Sequence, residues 1–309
     1  MNIFRDIRQL PEHVRGGAVT IGNFDGVHRG HAQLVGRLTE QARRVGGPSV
    51  VFTFEPHPVQ ILRPREAPPP LTWTERKAEL LSRLGATALI AYPTDEALLS
   101  LSATEFFAEI IQRQLGARAV IEGPNFYFGK GRTGDVALLE KLCRQSEITL
   151  EVVEPLQDDA QIISSSRIRA LVAAGDVSTA ARLLTQAYRI RGLVTHGAGR
   201  GAKIGFATAN VAAIDTLLPK PGVYAGRAYV NNHVWPTAVN IGPNPTFGES
   251  SLKVEAHLIG FSGSLYGCPI EVDFLSRVRD IQPFGSVEEL KQQLARDVGQ
   301  VEQEVNDTR

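Results

Sequence analysis

Residues 20–31 read TIGNFDGVHRGH and place His28 and His31 on either side of Gly30, where a β-branched run gives way to a helical pattern. Residues three apart at a helix start face the same way. Such a start offers unpaired N–H groups and the positive end of the helix dipole, and Gly26 and Gly30 let a bulky group approach the backbone. The imidazoles add further N–H donors, so the segment reads as an anion site. Zinc is a poorer fit, because two imidazoles with no Cys or third His at ligand spacing leave the ion short of donors. ISSSRIR (163–169) is a second helix start, with Ser164, Ser165 and Ser166 as capping residues and Arg167 and Arg169 carrying positive charge one turn in. HGAGRGAKIGFATAN (196–210) is a glycine-rich, basic turn leading into a strand on which Thr208 and Asn210 share a face. A hydroxyl and a carboxamide oxygen so placed suit a hard cation such as magnesium, which takes the rest of its shell from phosphate and water. In KVEAHLIGF (253–261), Val254, Ala256 and Leu258 alternate with Glu255 and His257, which therefore lie on the polar face of a strand.

These residues need two kinds of scaffold. Over 18–185, runs at 18–22, 48–54, 86–93, 117–123 and 148–154 read as strands alternating with helical patterns. Capping boxes are expected at Thr72/Glu75 and Ser102/Glu105, with stops at Gly85 and Gly116. That alternation predicts right-handed crossovers and a mainly parallel sheet, whose ligands bind beyond the carboxyl ends of the strands. Near 186–190 the helical periodicity fades. RIRGLVTH, GVYAGRAYV, VWPTAVNIG, KVEAHLIGF and IEVDFLSRV then alternate between Gly, Pro and Asn breaks, the pattern of a small antiparallel barrel or sandwich. A final helix opens with a Ser286/Glu289 capping box and carries Val287, Leu290, Leu294, Val298, Val301 and Val305 along one face. PREAPPP (64–70) reads as a stiff loop. The expected domains are 1–186 and 187–309.

Composition narrows the function. Thirty-three basic residues balance thirty-three acidic ones, so no overall field draws the chain to nucleic acid or anionic lipid, and a small substrate is expected. Cys143 and Cys268 match no zinc or redox spacing and read as incidental reduced thiols, which fits the cytoplasm. The amino terminus has no apolar signal region, and no run approaches the ~18 apolar residues of a membrane helix.

His28-Arg29-Gly30-His31 matches the H-x-G-H signature of nucleotidyltransferases, and the string around it resembles the amino-terminal module of bifunctional prokaryotic riboflavin kinase/FMN adenylyltransferases. FTFEPHP (52–58) is similar to that family's F-x-P-H-P loop, with Glu55 at an expected Asp. GPNFYFGKGRTGD (123–135) resembles its flavin-side loop, with Asn125 at an often acidic position. ISSSRIR resembles its second phosphate motif, with Ser166 for Thr. GFATAN (205–210) is similar to the kinase signature G-F-P-T-A-N, with Ala207 for Pro. PKPGVYAG (219–226) and NIGPNPTFGE (240–249) also look like kinase segments, and RVRDIQPF (277–284) departs from R-x-R-x-E-x-x-F at Ile281.

The resemblance implies a Rossmann-like α/β nucleotidyltransferase domain and a carboxy-terminal antiparallel β-barrel with a terminal helix. It implies phosphorylation of riboflavin to FMN at the barrel and adenylylation of FMN to FAD at the sheet, both with Mg2+ and ATP. In the adenylyltransferase, ATP would meet Gly22, Asn23, Phe24, Asp25, Gly26, His28, Gly30, His31, Ser164, Ser165, Ser166 and Arg169, with Arg169 steadying the departing pyrophosphate. The flavin would lie by Pro56, His57, Pro58, Asn125 and Phe128. In the kinase, ATP would meet Gly199, Gly201, Lys203, Gly205, Thr208 and Asn210, the last two holding the metal, with Glu255 as base. Neither a nucleic acid nor a membrane partner is expected, and the chain would be a monomer or weak homo-oligomer. Two rivals stand beside this reading: a nucleotidyltransferase of another substrate fused to a barrel that only binds, and a non-catalytic flavin-binding protein.

Overall fold

The computed structural model describes residues 1–197, 199–243 and 252–307. Two compact units emerge, Met1–Pro68 with Trp73–Ser164, and Pro69–Thr72 with Ser165–Arg309.

The first unit is built on a six-stranded parallel sheet: β1 (Asn2–Phe4), β2 (Ala18–Ile21), β3 (Ser49–Glu55), β4 (Ala88–Pro93), β5 (Ala119–Glu122) and β6 (Thr149–Val152). The strand order is β1-β4-β3-β2-β5-β6. Parallel strands covered on both faces are apolar throughout rather than alternating, and Val19, Ile21, Val50, Phe52, Leu89, Ile90, Val120 and Ile121 are all buried. Five strands lie where the hydrophobic runs predict them. The sixth, β1, pairs only with β4 at the sheet's border, and its three residues are too few to leave a periodic signal. The helix Arg29–Val45 follows β2, buries Val35, Leu38 and Ala42, and stops at Gly46 in the left-handed region (φ 65°). Glycine reaches that conformation without a Cβ penalty.

The Ser102/Glu105 capping box forms as expected. The one at Thr72 does not: the helix Thr74–Arg83 is preceded by Trp73, without a side-chain cap, and Thr72 is buried one position too early to serve. A short hairpin, β7 (Gln157–Asp158) with β8 (Gln161–Ile162), ends the unit; Asp159 and Ala160 turn it with positive φ.

In the second unit β9 (Tyr188–Thr195), β10 (Ala209–Ala212), β11 (Gly222–Val230), β12 (His233–Gly242), β13 (Lys253–Leu258) and β14 (Pro269–Arg279) close into an antiparallel barrel ordered β10-β13-β12-β11-β14-β9. The barrel, not the sandwich, is therefore the outcome. Gly226 on β11 permits its closure, since an added Cβ would overlap Asp273 O on β14. The composition shift near 186–190 marks the start of β9. The helices Ser165–Ala174 and Val177–Leu183 already belong with the barrel, and Ser178 Oγ donates to Leu275 O on β14 (3.3 Å). At the start of the terminal helix Val287–Asp307, Ser286 Oγ accepts from Glu289 N (3.2 Å) as expected, whereas Glu289 Oε2 accepts from Gly285 N (3.0 Å), one residue before the partner a capping box uses. Val301 and Val305 seal it against Ala225, whereas Val287, expected on the same face, is exposed. Among the described residues no helix is long and apolar enough to cross a membrane.

Phe52 lies fully buried on β3 among Phe54, Tyr92 and Phe106, with ring centroids at 5.4, 5.5 and 6.4 Å. Phe52→Ala is expected to cost about 3–5 kcal/mol of stability in the first unit, read from denaturant unfolding.

Candidate active sites

Strand order reverses between β2 and β5, the position at which an open α/β sheet forms a crevice. The residues after β2 lie there in a tight turn whose backbone is left-handed at Phe24 (φ 48°), Gly26 (82°) and Val27 (43°). Two non-glycine residues in that region carry strain that the surroundings must hold. Asn23 O is the fixed point, accepting from Lys77 Nζ (2.7 Å) and Thr53 Oγ1 (3.2 Å).

His28 is not in the first helical turn, as its spacing suggested, but is the cap before it. Its Nδ1 accepts from His31 N (3.2 Å), which leaves the proton of the neutral ring on Nε2. The two imidazoles stack with centroids 3.6 Å apart, and His31 also lies against Phe24 (4.9 Å). Gly30 allows this, because a Cβ there would press on the His28 ring. Burial pulls His28 down to about 4. His31 falls well below its ordinary value, first through burial and then through His28 and Lys77. The pair is thus neutral at pH 7, and His31 Nδ1, shut off from solvent, has no hydrogen-bond partner.

Around this turn, Glu55 Oε1 accepts from Thr74 Oγ1 (2.5 Å) and Oε2 pairs with Arg5 (3.3 Å). His57 caps the short helix Pro58–Leu62 through Nδ1, which accepts from Val59 N (3.0 Å). Asn125 is exposed, while Phe128 is core, stacked on Phe126 (5.4 Å); Tyr127 is the exposed aromatic of that loop. Arg29 pairs with Asp158 on β7 (3.7 Å), and Ile163 O lies 3.5 Å from where a Cβ on Gly30 would sit. The segment leading into Ser164 therefore runs against the H-x-G-H helix. Ser164 ends the first unit; Ser165, Ser166, Arg167 and Arg169 open the first helix of the second, where Arg169 Nε donates to Pro69 O (3.1 Å).

The barrel carries its own cavity, between the outer faces of β10–β13 and the terminal helix. Gly199, Gly201, Thr208, Asn210, Glu255 and His257 line one side, and Leu290, Leu294 and Val298 the other. Lys203 and Gly205 belong to the same turn. In register, Glu255 stands opposite Asn210 on β10 and Asn240 on β12, and Asn240 Nδ2 donates to Glu255 Oε2 at 3.5 Å. His257 Nδ1 lies 2.7 Å from Ala207 O and its ring meets Phe206 edge-on (5.6 Å), holding the turn at the position where the family signature has proline. Gly197 approaches Asn210 so closely that a Cβ would overlap its carboxamide nitrogen. Ile281 forms part of the cavity wall, and of NIGPNPTFGE residues 244–249 lie outside the described residues.

Four polar residues escaped the sequence reading. Lys77 and Asp297 each sit on the apolar face of a helix, the signal by which both were detectable. Asp297, 2% exposed, receives Arg279 in a two-point pair (3.0 and 2.7 Å) and Gln293 Nε2 (2.9 Å), tying the terminal helix to β14. Asn240 opens the kinase-like segment NIGPNPTFGE, whose resemblance alone assigned it no role. Glu122 reads as a strand-end carboxylate; burial pushes its carboxyl well above the usual range, and it accepts from Ile21 N (2.7 Å).

Residues 10–167 match the FAD synthetase family and residues 184–305 the riboflavin kinase family. The chain is 37% identical to the bifunctional riboflavin kinase/FMN adenylyltransferase of Pseudomonas fluorescens and 34% identical to that of Escherichia coli K12, each match covering 96% of both chains. A Bacillus subtilis protein of the same name is 34% identical over 93% of this chain and 92% of its own. A Streptococcus pneumoniae structure titled a macrolide-efflux protein superposes with a TM-score of 0.85 at 28% identity, covering 96% of each chain.

Protonating either buried imidazole opposes folding. The unfolded histidine titrates near 6.5 and folded His28 near about 4, so between those values the unfolded chain binds more protons. This stability is complete above pH 6.5 and is lost as pH falls toward 4. Thermal midpoints from pH 7.5 to 4.5 should fall accordingly, and His28→Asn, which keeps a cap but no titrating ring, should flatten the decline.

Proposed function

The chain belongs to the bifunctional riboflavin kinase/FMN adenylyltransferase family, and we propose that its barrel makes FMN and its parallel-sheet unit converts FMN to FAD. The observation that carries this reading is the presence of two separate polar sites: an imidazole pair at the sheet's switch point and a carboxylate beside Thr208 and Asn210 in the barrel cavity. We assign residues 1–186 to the adenylyltransferase and 187–309 to the kinase.

In the kinase, Glu255 takes the proton of the ribityl hydroxyl as that oxygen bonds to the γ-phosphorus of ATP and ADP departs. A hydroxyl is protonated at neutral pH, so a placed carboxylate is needed. Asn210 and Asn240, in register on either side, orient it. Gly199, Gly201, Lys203 and Gly205 form the ATP turn. Among the described residues no group of three His, Cys, Asp or Glu side chains is placed to hold a metal by itself. Thr208 and Asn210 supply two neutral oxygens at the cavity, a set that fits magnesium sharing its shell with phosphates. Bound there, the ion supplies positive charge to the phosphates.

Adenylyl transfer needs no comparable base. The FMN phosphate is largely dianionic, its second pKa being about 6, and its oxygen attacks the α-phosphorus as pyrophosphate leaves. The protein's task is alignment and charge stabilisation. We assign Gly22, Asn23, Phe24, Asp25, Gly26, Gly30, Ser164, Ser165 and Ser166 to ATP. His28 and His31 donate to its phosphates and Arg169 steadies pyrophosphate. Pro56, His57, Pro58 and Asn125 meet the flavin, with Phe128 behind them. The balanced charge and the two free cysteines support a cytoplasmic enzyme of small-molecule substrates without a nucleic-acid partner, as a monomer or weak homo-oligomer.

Incubation with riboflavin, ATP and magnesium should yield FMN and then FAD by chromatography; FAD from supplied FMN alone would rule out the kinase, and neither product would rule out both activities. Glu255→Gln should abolish FMN formation, by at least about 100-fold, while FAD synthesis from FMN persists. Gly197→Ala, by displacing Asn210, should raise the magnesium and ATP requirement of the kinase alone.

A further inference from the structure

One buried group in the sheet unit is left without a role by these assignments. Lys77, 8% exposed, lies on the helix Thr74–Arg83, on the face that also carries buried Leu80 and Leu81. Burial lowers its affinity for a proton, and Asp25 and Glu55 counter this only in part. A buried ammonium is costly unless a carboxylate pairs with it. Asp25 and Glu55 are the carboxylates that act on it. Its Nζ is spent on neutral oxygens, Asn23 O at 2.7 Å and Thr53 Oγ1 at 3.4 Å. It therefore fixes the one carbonyl from which the strained turn at residues 24–27 departs, and it places under that turn a positive charge that Asp25 and Glu55 offset only in part. Neutral imidazoles add donors there but no charge, so Lys77, close enough to His31 to lower its proton affinity, is a buried source of positive charge beside the H-x-G-H start.

We propose that Lys77 is a positioning residue for adenylyl transfer. Through Asn23 O it holds the N-F-D-G turn in its ATP-accepting form, and its charge is balanced by the polyphosphate of the incoming nucleotide. The proposal rests on the adenylyltransferase reading of this unit.

The test is steady-state kinetics of FAD synthesis with Lys77→Met, Lys77→Gln and Lys77→Arg in the full chain, with riboflavin phosphorylation as the control for an intact second unit. Lys77→Met should raise the KM for ATP about tenfold or more while the KM for FMN stays within about twofold, and Lys77→Arg should recover most of the loss. If Lys77→Met does not fold, Lys77→Gln, which keeps an N–H donor without the charge, should show the same selective rise. An ATP KM unmoved in a folded variant, or equal rises in both KM values, overturns the role of Lys77 while leaving the activity in place. A parent chain that makes no FAD from FMN and ATP overturns both.

Discussion

Pairing between β2 and β5 stops after Val19↔Val120, and the polar chemistry of the parallel-sheet unit is gathered beyond that point. A sheet covered on both faces tolerates polar groups only where its ladder ends, because each N–H left behind must find another acceptor. Ile21 N finds the carboxyl of Glu122, which burial pushes well above the usual carboxylate range and which accepts that hydrogen bond at 2.7 Å. The opened ladder gives the following residues room to form a left-handed turn and to deliver His28 to the helix start as its cap. A continuous β2–β5 ladder would have closed the crevice.

The barrel solves the same problem differently. Its six strands close on one another, and the polar residues of its cavity stand on the outer face, where Asn210, Glu255 and Asn240 form a row across three strands. Cross-strand neighbours on one face hold one another without help from a loop. What turns that face into a cavity is the terminal helix, kept in place over its last turns by Val301 and Val305 and at its middle by the Arg279–Asp297 pair. Removing one member of such a pair is far costlier than the pair is stabilising, since it strands a charge.

The sequence was legible where chemistry and local periodicity coincide. Five parallel strands, the terminal helix and the barrel runs announced themselves through apolar spacing, and His28, His31, Thr208, Asn210 and Glu255 through short motifs. Three things were not legible. β1 is too short to be periodic. The Thr72 capping box has the right spacing but begins a residue or two early, and nothing local distinguishes it from the one at Ser102 that does form. The packing of the helices after Ser164 with the barrel leaves no local signal, because which core a helix joins is decided by distant strands such as β14. Lys77 and Asp297 were legible in principle: a charge on an apolar helix face is either paired or poised, and only the three-dimensional partners reveal which.

Closure of the barrel also shapes how the folded chain meets its neighbours. With β9 paired to β10, the barrel offers no open border to which a foreign strand can add. Among the described residues the large parallel sheet keeps open borders, at β1 and β6. The first presents three residues, and the second carries Glu151, held by Arg37 and Gln41, at its centre. Both are unfavourable templates for edge-to-edge polymerisation, one because it is short and the other because it carries a charged side chain held by its neighbours.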